Sequence, residues 1–349
     1  MPSFRPTARV LGAALSVAAA ASTGHAQDAG AGDRIDHPTR APISLGNYPR
    51  VDGLRINFRD RRLERVRGIN VTIWQPHEPA TGAVTGLALG LPMTGAGEMR
   101  GVALGAFGVS ADGALRGISI GGIGVGAGGS VRGLAVGGIG IGTGGSLEGI
   151  AIGGIGAGAG GNVRGLLIGG IGAGVGGNLR GIAVGGVGVA AGGNVTGLVL
   201  GGIGAGAGGS LRGIAISGIG SGVGEDLTGL TISGIGAGAG GTMRGVGIAG
   251  VGVGAPRLEG LFLASAVGAL HAHAIVIAPA LFRIEPGGSF RGASLSAVNY
   301  VRGSQHGLTL GIVNYARSVN GAQIGVINII AQQRSHKVLP IVNWDSTPD

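Results

Sequence analysis

A glycine-rich unit of sixteen residues, repeated in register through most of the chain, constrains this sequence more tightly than any single motif. Aligned on the first glycine, the clearest units are GISIGGIGVGAGGSVR from Gly117, GLAVGGIGIGTGGSLE from Gly133, GIAIGGIGAGAGGNVR from Gly149 and GLLIGGIGAGVGGNLR from Gly165. The series runs on through Arg244, and degenerate units extend it from GLRINF at Gly53 to GAQIGVINII at Gly321. A fixed period of this size marks a repeat architecture in which each unit buries its apolar surface only against its neighbours.

The unit excludes most ways of folding. Each interior glycine costs a helix about 1 kcal/mol relative to alanine, and the unit from Gly149 carries seven. Glycine does not fall at every third position, so a collagen helix is out. A count of 83 glycines in 349 residues is compatible with a solvated coil, but 44% hydrophobic against 12% charged residues argues for burial. In the unit from Gly149 the apolar residues Ile150, Ile152, Ile155, Ala157, Ala159 and Val163 alternate over short runs and change phase at Gly153-Gly154, the mark of short strands joined at corners.

The expected fold is all-β, a single-stack β-solenoid of about 16-residue coils with a thin core of Ile, Leu, Val and Ala. About 17 or 18 coils spaced by about 4.8 Å would give a rod of roughly 80 Å. Ser130, Ser146, Asn162, Asn178, Asn194, Ser210, Asp226 and Thr242 share one position of the unit and would stack as a polar ladder at a turn. Leu115/Ile118, Val131/Leu134 and the pairs after them alternate over two units. In a solenoid this is volume compensation between adjacent coils or descent from a duplicated pair; in an up-and-down β-barrel with one strand per repeat it would mark alternating strand directions. The barrel is therefore the alternative, although the turns are nearly identical, aromatic girdles are missing and the end WDSTPD is polar.

The expected organisation begins with a signal peptide over 1–26: a basic start containing Arg5 and Arg9, the apolar run VLGAALSVAAAAS, and small residues leading to cleavage after Ala26. A flexible leader follows over 27–52, then N-terminal capping coils over 53–85, the regular array over 86–259 and irregular coils over 260–291. Asn-containing coils and a cap occupy 292–344, with a tail over 345–349. Removing Arg5 and Arg9 takes the formal charge from +9 to +7, a balance that favours anionic surfaces or polymers. Without cysteine there is no disulfide, thiolate metal site or lipid-anchoring thiol. The implied location is the periplasm, outer membrane or cell surface.

The segments GLTLGIVNYA, GAQIGVINII and VLPIVNW, with the GGNVRGLLIGGIGAG type of unit, resemble bacterial exported surface-repeat proteins with GLQIGLIN-like glycine-rich repeats. The resemblance spans most of the chain after the signal and implies export and a repetitive β architecture. It carries no functional residue across. The family-like asparagine stands here only at Asn299, Asn314, Asn328 and Asn343, and glycine fills the middle units.

Chemical motifs fail one by one. The GxGxxG match at Gly156, Gly158 and Gly161 lacks the strand-turn-helix setting and the acidic residue about 20 positions on that a dinucleotide requires. A Walker loop has no lysine, because Lys337 is the only one. Calcium-binding repeats need an aspartate per unit where this chain has Ile or Ala, and acyltransferase hexapeptides need a period of six. His271 and His273 can share one side of a strand, but without a neighbouring carboxylate or cysteine they are read as decoration rather than a metal pair. The sequence thus points to no enzyme, cofactor or small-molecule substrate.

One row remains. Arg100, Arg116, Arg132, Arg164, Arg180, Arg212 and Arg244 occupy the same unit position, interrupted by Glu148, Thr196 and Thr228. In a solenoid they would share one edge and offer contacts to anionic envelope polysaccharide or lipid headgroups. Nucleic acid is disfavoured, since no aromatics stand between the arginines to stack bases. The expected function is that of an exported structural or surface-interaction protein, the alternative being an outer-membrane barrel or pore.

Overall fold

The computed structural model describes residues 41–76 and 81–346. The signal peptide expected over 1–26 lies outside the described residues. The chain forms a parallel β-solenoid of coils that are sixteen residues long through its middle. Each central coil contributes a seven-residue strand and a four-residue strand, as in Leu147–Gly153 and Gly156–Ala159. Leu147–Gly153 pairs in parallel with Val163–Gly169, Leu147 opposite Val163 and Gly149 opposite Gly165. The corners pair as well, Gly154 N–H donating to the Gly137 carbonyl at 3.0 Å and Ile155 N–H to the Ile139 carbonyl at 2.7 Å. Backbone polar groups in the interior of the stack thus find partners in the coils above and below. Parallel pairing of successive repeats rules out the up-and-down barrel, whose neighbouring strands run antiparallel.

The core is only in part the one expected. In the unit from Gly149 the side chains pointing inward are those of Ala151, Ala157, Ala159 and Val163. Ile150, Ile152 and Ile155 face outward, with 41%, 37% and 43% of their surface exposed. Two glycines sit where the coil is most crowded. Gly149 has φ +126°, and a Cβ there would stand 2.1 Å from the Gly133 carbonyl oxygen. Gly149 turns the corner between Leu147 and Ala151, which with Gly153 lie on the inner side, so Ile150 and Ile152 fall on the outer side. Gly153 faces the shorter strand of its own coil so closely that a Cβ would meet the Gly156 carbonyl oxygen at 2.0 Å. This interior is lined mainly by Ala and Gly beside the row of Leu and Val, with larger side chains such as Ile141 and Leu167 admitted in individual coils.

That inner row is where the two-unit alternation resides. Leu115, Val131, Leu147, Val163, Leu179, Val195 and Leu211 stack inside at 2% exposure or less, while Ile118, Leu134, Ile150, Leu166 and their successors stack outside. Large and small side chains thus alternate between adjacent coils of the core row.

The ends are built differently. Twelve residues of the expected leader are ordered, with Ala41–Leu45 pairing in parallel with Arg50–Asn57. Inside this first part of the stack Arg55 is fully buried and ion-paired with Asp60. Asn57 and Thr72 also donate to the Asp60 carboxylate, and Arg55 donates to Asn70 Oδ1 at 3.1 Å. Burial pulls the Arg55 pKa down, and the Asp60 charge and hydrogen bond oppose it.

The segment over 260–291, expected to be irregular, pairs in parallel like the rest, with Arg257 opposite His271 and Leu263 opposite Ile277. What changes is its spacing: Ala274 takes the corner opposite Gly260, and Gly292 is the next, 14 and 18 residues on. Phe262, Phe282 and Phe290 fill this wider interior, the last two edge-to-face at 4.8 Å. Farther on, Asn299 Nδ2 donates to Asn314 Oδ1 and Asn314 Nδ2 to Asn328 Oδ1, each at 2.7 Å, in a buried ladder. Val338–Ser346 then turns back antiparallel on the last coil, Asn320 opposite Ser346 and Ile329 opposite Val338. The strand takes in Asp345 and Ser346 from the expected tail.

Candidate anion-contact edge

Register brings the predicted arginines together. Arg100 pairs with Arg116, Arg116 with Arg132, Arg132 with Glu148, Glu148 with Arg164, and Arg164 with Arg180. Thr196 and Thr228 then separate Arg180, Arg212 and Arg244, and Glu259 follows Arg244. All seven arginines are exposed, because the residue before each corner glycine points out of the coil.

Carboxylates divide the row into neutralised and free stretches. Glu148 lies between two arginines, 3.1 Å from Arg132 Nε and 3.9 Å from Arg164 Nη1. Arg100 contacts Glu98 at 3.0 Å, and Arg244 contacts Glu259 at 2.6 Å. The hydrogen bond from Arg244 lowers the Glu259 pKa below the ordinary carboxylate range, and the same bond raises that of Arg244. Arg116, Arg180 and Arg212 have no carboxylate partner among the described residues. Their positive charge is exposed and uncompensated.

The polar ladder beside the row holds the coil corners in register. Asn178 N–H donates to Asn162 Oδ1 at 2.8 Å, Asn194 N–H to Asn178 Oδ1 at 2.7 Å, and Ser210 N–H to Asn194 Oδ1 at 2.8 Å. Thr242 N–H donates likewise to Asp226 Oδ1 at 2.6 Å. Each side chain therefore satisfies the backbone of the following coil, and the arginine two residues later inherits a fixed spacing.

The row runs farther than sequence spacing indicated. His273 pairs with Glu259, and Arg291 and His306, each preceding a corner glycine, continue the line. Together with Arg257 and His271 these side chains line a cavity of about 250 Å³. His271 Nδ1 lies 3.0 Å from Ser289 Oγ. No group of three or more His, Cys, Asp or Glu side chains placed to hold a metal occurs among the described residues. The signal for this extension was the pairing register, hidden because coils of 14 and 18 residues break the sixteen-residue count. No family model, curated protein or solved structure matches the chain.

Proposed function

We propose that the protein is an exported, repeat-built structural or surface-interaction protein of the cell envelope that contacts anionic polymers through its arginine edge. The observation that carries this reading is the in-register row in which Arg116, Arg180 and Arg212 stand exposed without a carboxylate partner. Like charges held on a rigid ladder repel one another, and an anionic polymer or headgroup layer laid along the edge relieves that repulsion. The role is mechanical and adhesive rather than catalytic, and the three-part N-terminal pattern directs it outside the cytoplasm.

The test compares retention of the purified chain on an acidic polysaccharide, on vesicles of anionic phospholipid and on neutral dextran. Binding to either anionic probe that falls steeply with salt is expected, with none to dextran. Replacing Arg116, Arg180 and Arg212 together by Ser should weaken it about tenfold, roughly half a kcal/mol for each exposed contact. Equal retention of the triple variant would overturn the arginine edge as the contact surface. Vesicle binding without polysaccharide binding would assign the anion to lipid headgroups.

A further inference from the structure

The inverted core leaves a surface that the arginine edge does not use. On the outer side of the longer strands two rows of aliphatic side chains run from coil to coil. One passes through Leu54, Ile69, Leu87 and Val102, then from Ile118 through Val246 to Leu261 and Ile275. The other, two residues on, runs from Ile56 through Ile120 and Ile248 to Ile277. Neither row holds a charged or polar residue between Leu54 and Ile277. Ile118, Ile150 and Ile182 are each 41% exposed, and a third exposed row, Ile123 to Val251, follows at the adjoining corner. Soluble monomers rarely expose a continuous apolar patch beyond about 600 Å².

We propose that this face is the interface between two copies of the chain, packed sheet to sheet with their solenoid axes parallel. Area supports it. At about 4.8 Å per coil the paired rows extend about 67 Å, and two rows with their side chains span about 14 Å, so two facing copies bury roughly 1,900 Å². Stable interfaces bury about 1,200–2,000 Å². A second copy also repeats at the same spacing, so the contact stays in register along its whole length.

Charge selects the orientation. The arginine row flanks the aliphatic rows on one side only, one glycine away. A two-fold axis along the strands would run the solenoids antiparallel and lay one arginine row against the other. A two-fold axis along the solenoids puts the two rows on opposite edges, where both stay open to anionic polymers.

The test is the mass of the full chain in detergent-free buffer by light scattering, combined with self-cross-linking. Twice the 33.6 kDa chain mass is expected. Replacing Ile152, Ile168 and Ile216 by Glu should give a monomer with an unchanged circular-dichroism spectrum. Should that variant not fold, single cysteines decide the matter, since the chain has none of its own. Leu89→Cys and Ile232→Cys lie toward opposite ends of one row, and each should join to its counterpart through a short bismaleimide. A monomeric native chain, or one that stays monomeric and floats with anionic phospholipid vesicles, overturns the proposal. A dimer cross-linking only through Ile168→Cys, near the middle, overturns the parallel arrangement. These results are independent of the arginine edge, which the triple Arg→Ser variant reports separately.

Discussion

Between Gly101 and Gly245 the coil interior is kept shallow by Ala and Gly, whereas between Gly292 and Asn343 it is filled with amides. In the first region Ala151, Gly153 and Ala157 leave the two strands of a coil nearly in backbone contact. In the second, Asn299, Asn314 and Asn328 are fully buried and bridge coil to coil, with Gln305 and Gln323 buried nearby. A narrow parallel coil can thus be stabilised by excluding side chains or by satisfying polar ones. The two solutions fail differently: the glycine coils are sensitive to added volume, the asparagine coils to a lost partner.

The harshest break of the glycine solution is Gly149→Ala. The new methyl meets the Gly133 carbonyl oxygen at 2.1 Å in a conformation that L-residues rarely adopt, and the neighbouring coils hold that backbone fixed. A loss of about 4 kcal/mol or more is expected, concentrated in the coils beside the substitution. Amide exchange would show it as lost protection across Gly133–Gly165, spreading by nearest-neighbour coupling. Native protection there would contradict the stacked corner.

The asparagine solution breaks at Asn314→Leu, which keeps the volume and removes the chemistry. Asn314 Nδ2 donates to Asn328 Oδ1 and, at 3.0 Å, to the Ile324 carbonyl, while its Oδ1 accepts from Asn299. Leaving those groups unpaired in a buried ladder should cost about 2–4 kcal/mol, confined to the C-terminal coils. Proteolysis focused there, with the middle array intact, is the expected readout.

Glycine is not required everywhere in the array. At Gly142 and Gly174, on the outer side of the shorter strands, a Cβ would meet nothing within 4 Å, and φ is not positive. Gly174→Ala should therefore raise stability by about 0.5–1 kcal/mol, since strand glycine carries an entropic cost with no packing gain here. Thermal melts of the single and double alanine variants measure it. Opposite signs for Gly149→Ala and Gly174→Ala would separate glycines that build the fold from those that do not.

The period, the parallel stack, the Ser/Asn ladder and the arginine row were all legible in the sequence, because each depends only on residues recurring at one interval. Which side faced inward was not. Ile150 and Ile152 read as core by their apolarity, yet Leu147, Ala151 and Gly153 hold the inner side of the strand, where Gly153 approaches Gly156 too closely for a large side chain. Apolar alternation locates a strand's two sides without saying how deep the space behind each one is. The His273–Arg291–His306 extension of the edge was hidden for another reason. It lies where coil length varies, and only strand pairing shows that Glu259 is followed by His273.

The smallest effect is expected at the end of the glycine coils, at Arg244 and Glu259. The Arg244 hydrogen bond and charge depress the Glu259 pKa, so the folded carboxyl gives up its proton more readily than the unfolded one. Its contribution to stability is thus present above the ordinary glutamate pKa and is lost as pH falls through the lowered value. Both groups are exposed and screened by water and salt, so the melting temperature should hardly move across that window. The carboxyl resonance of Glu259 should instead titrate below the usual range and return to it in Arg244→Gln. A resonance unmoved by that substitution would remove the pair as a neutralised point of the edge, and Arg244 would then join Arg116, Arg180 and Arg212 as free charge for an anionic partner.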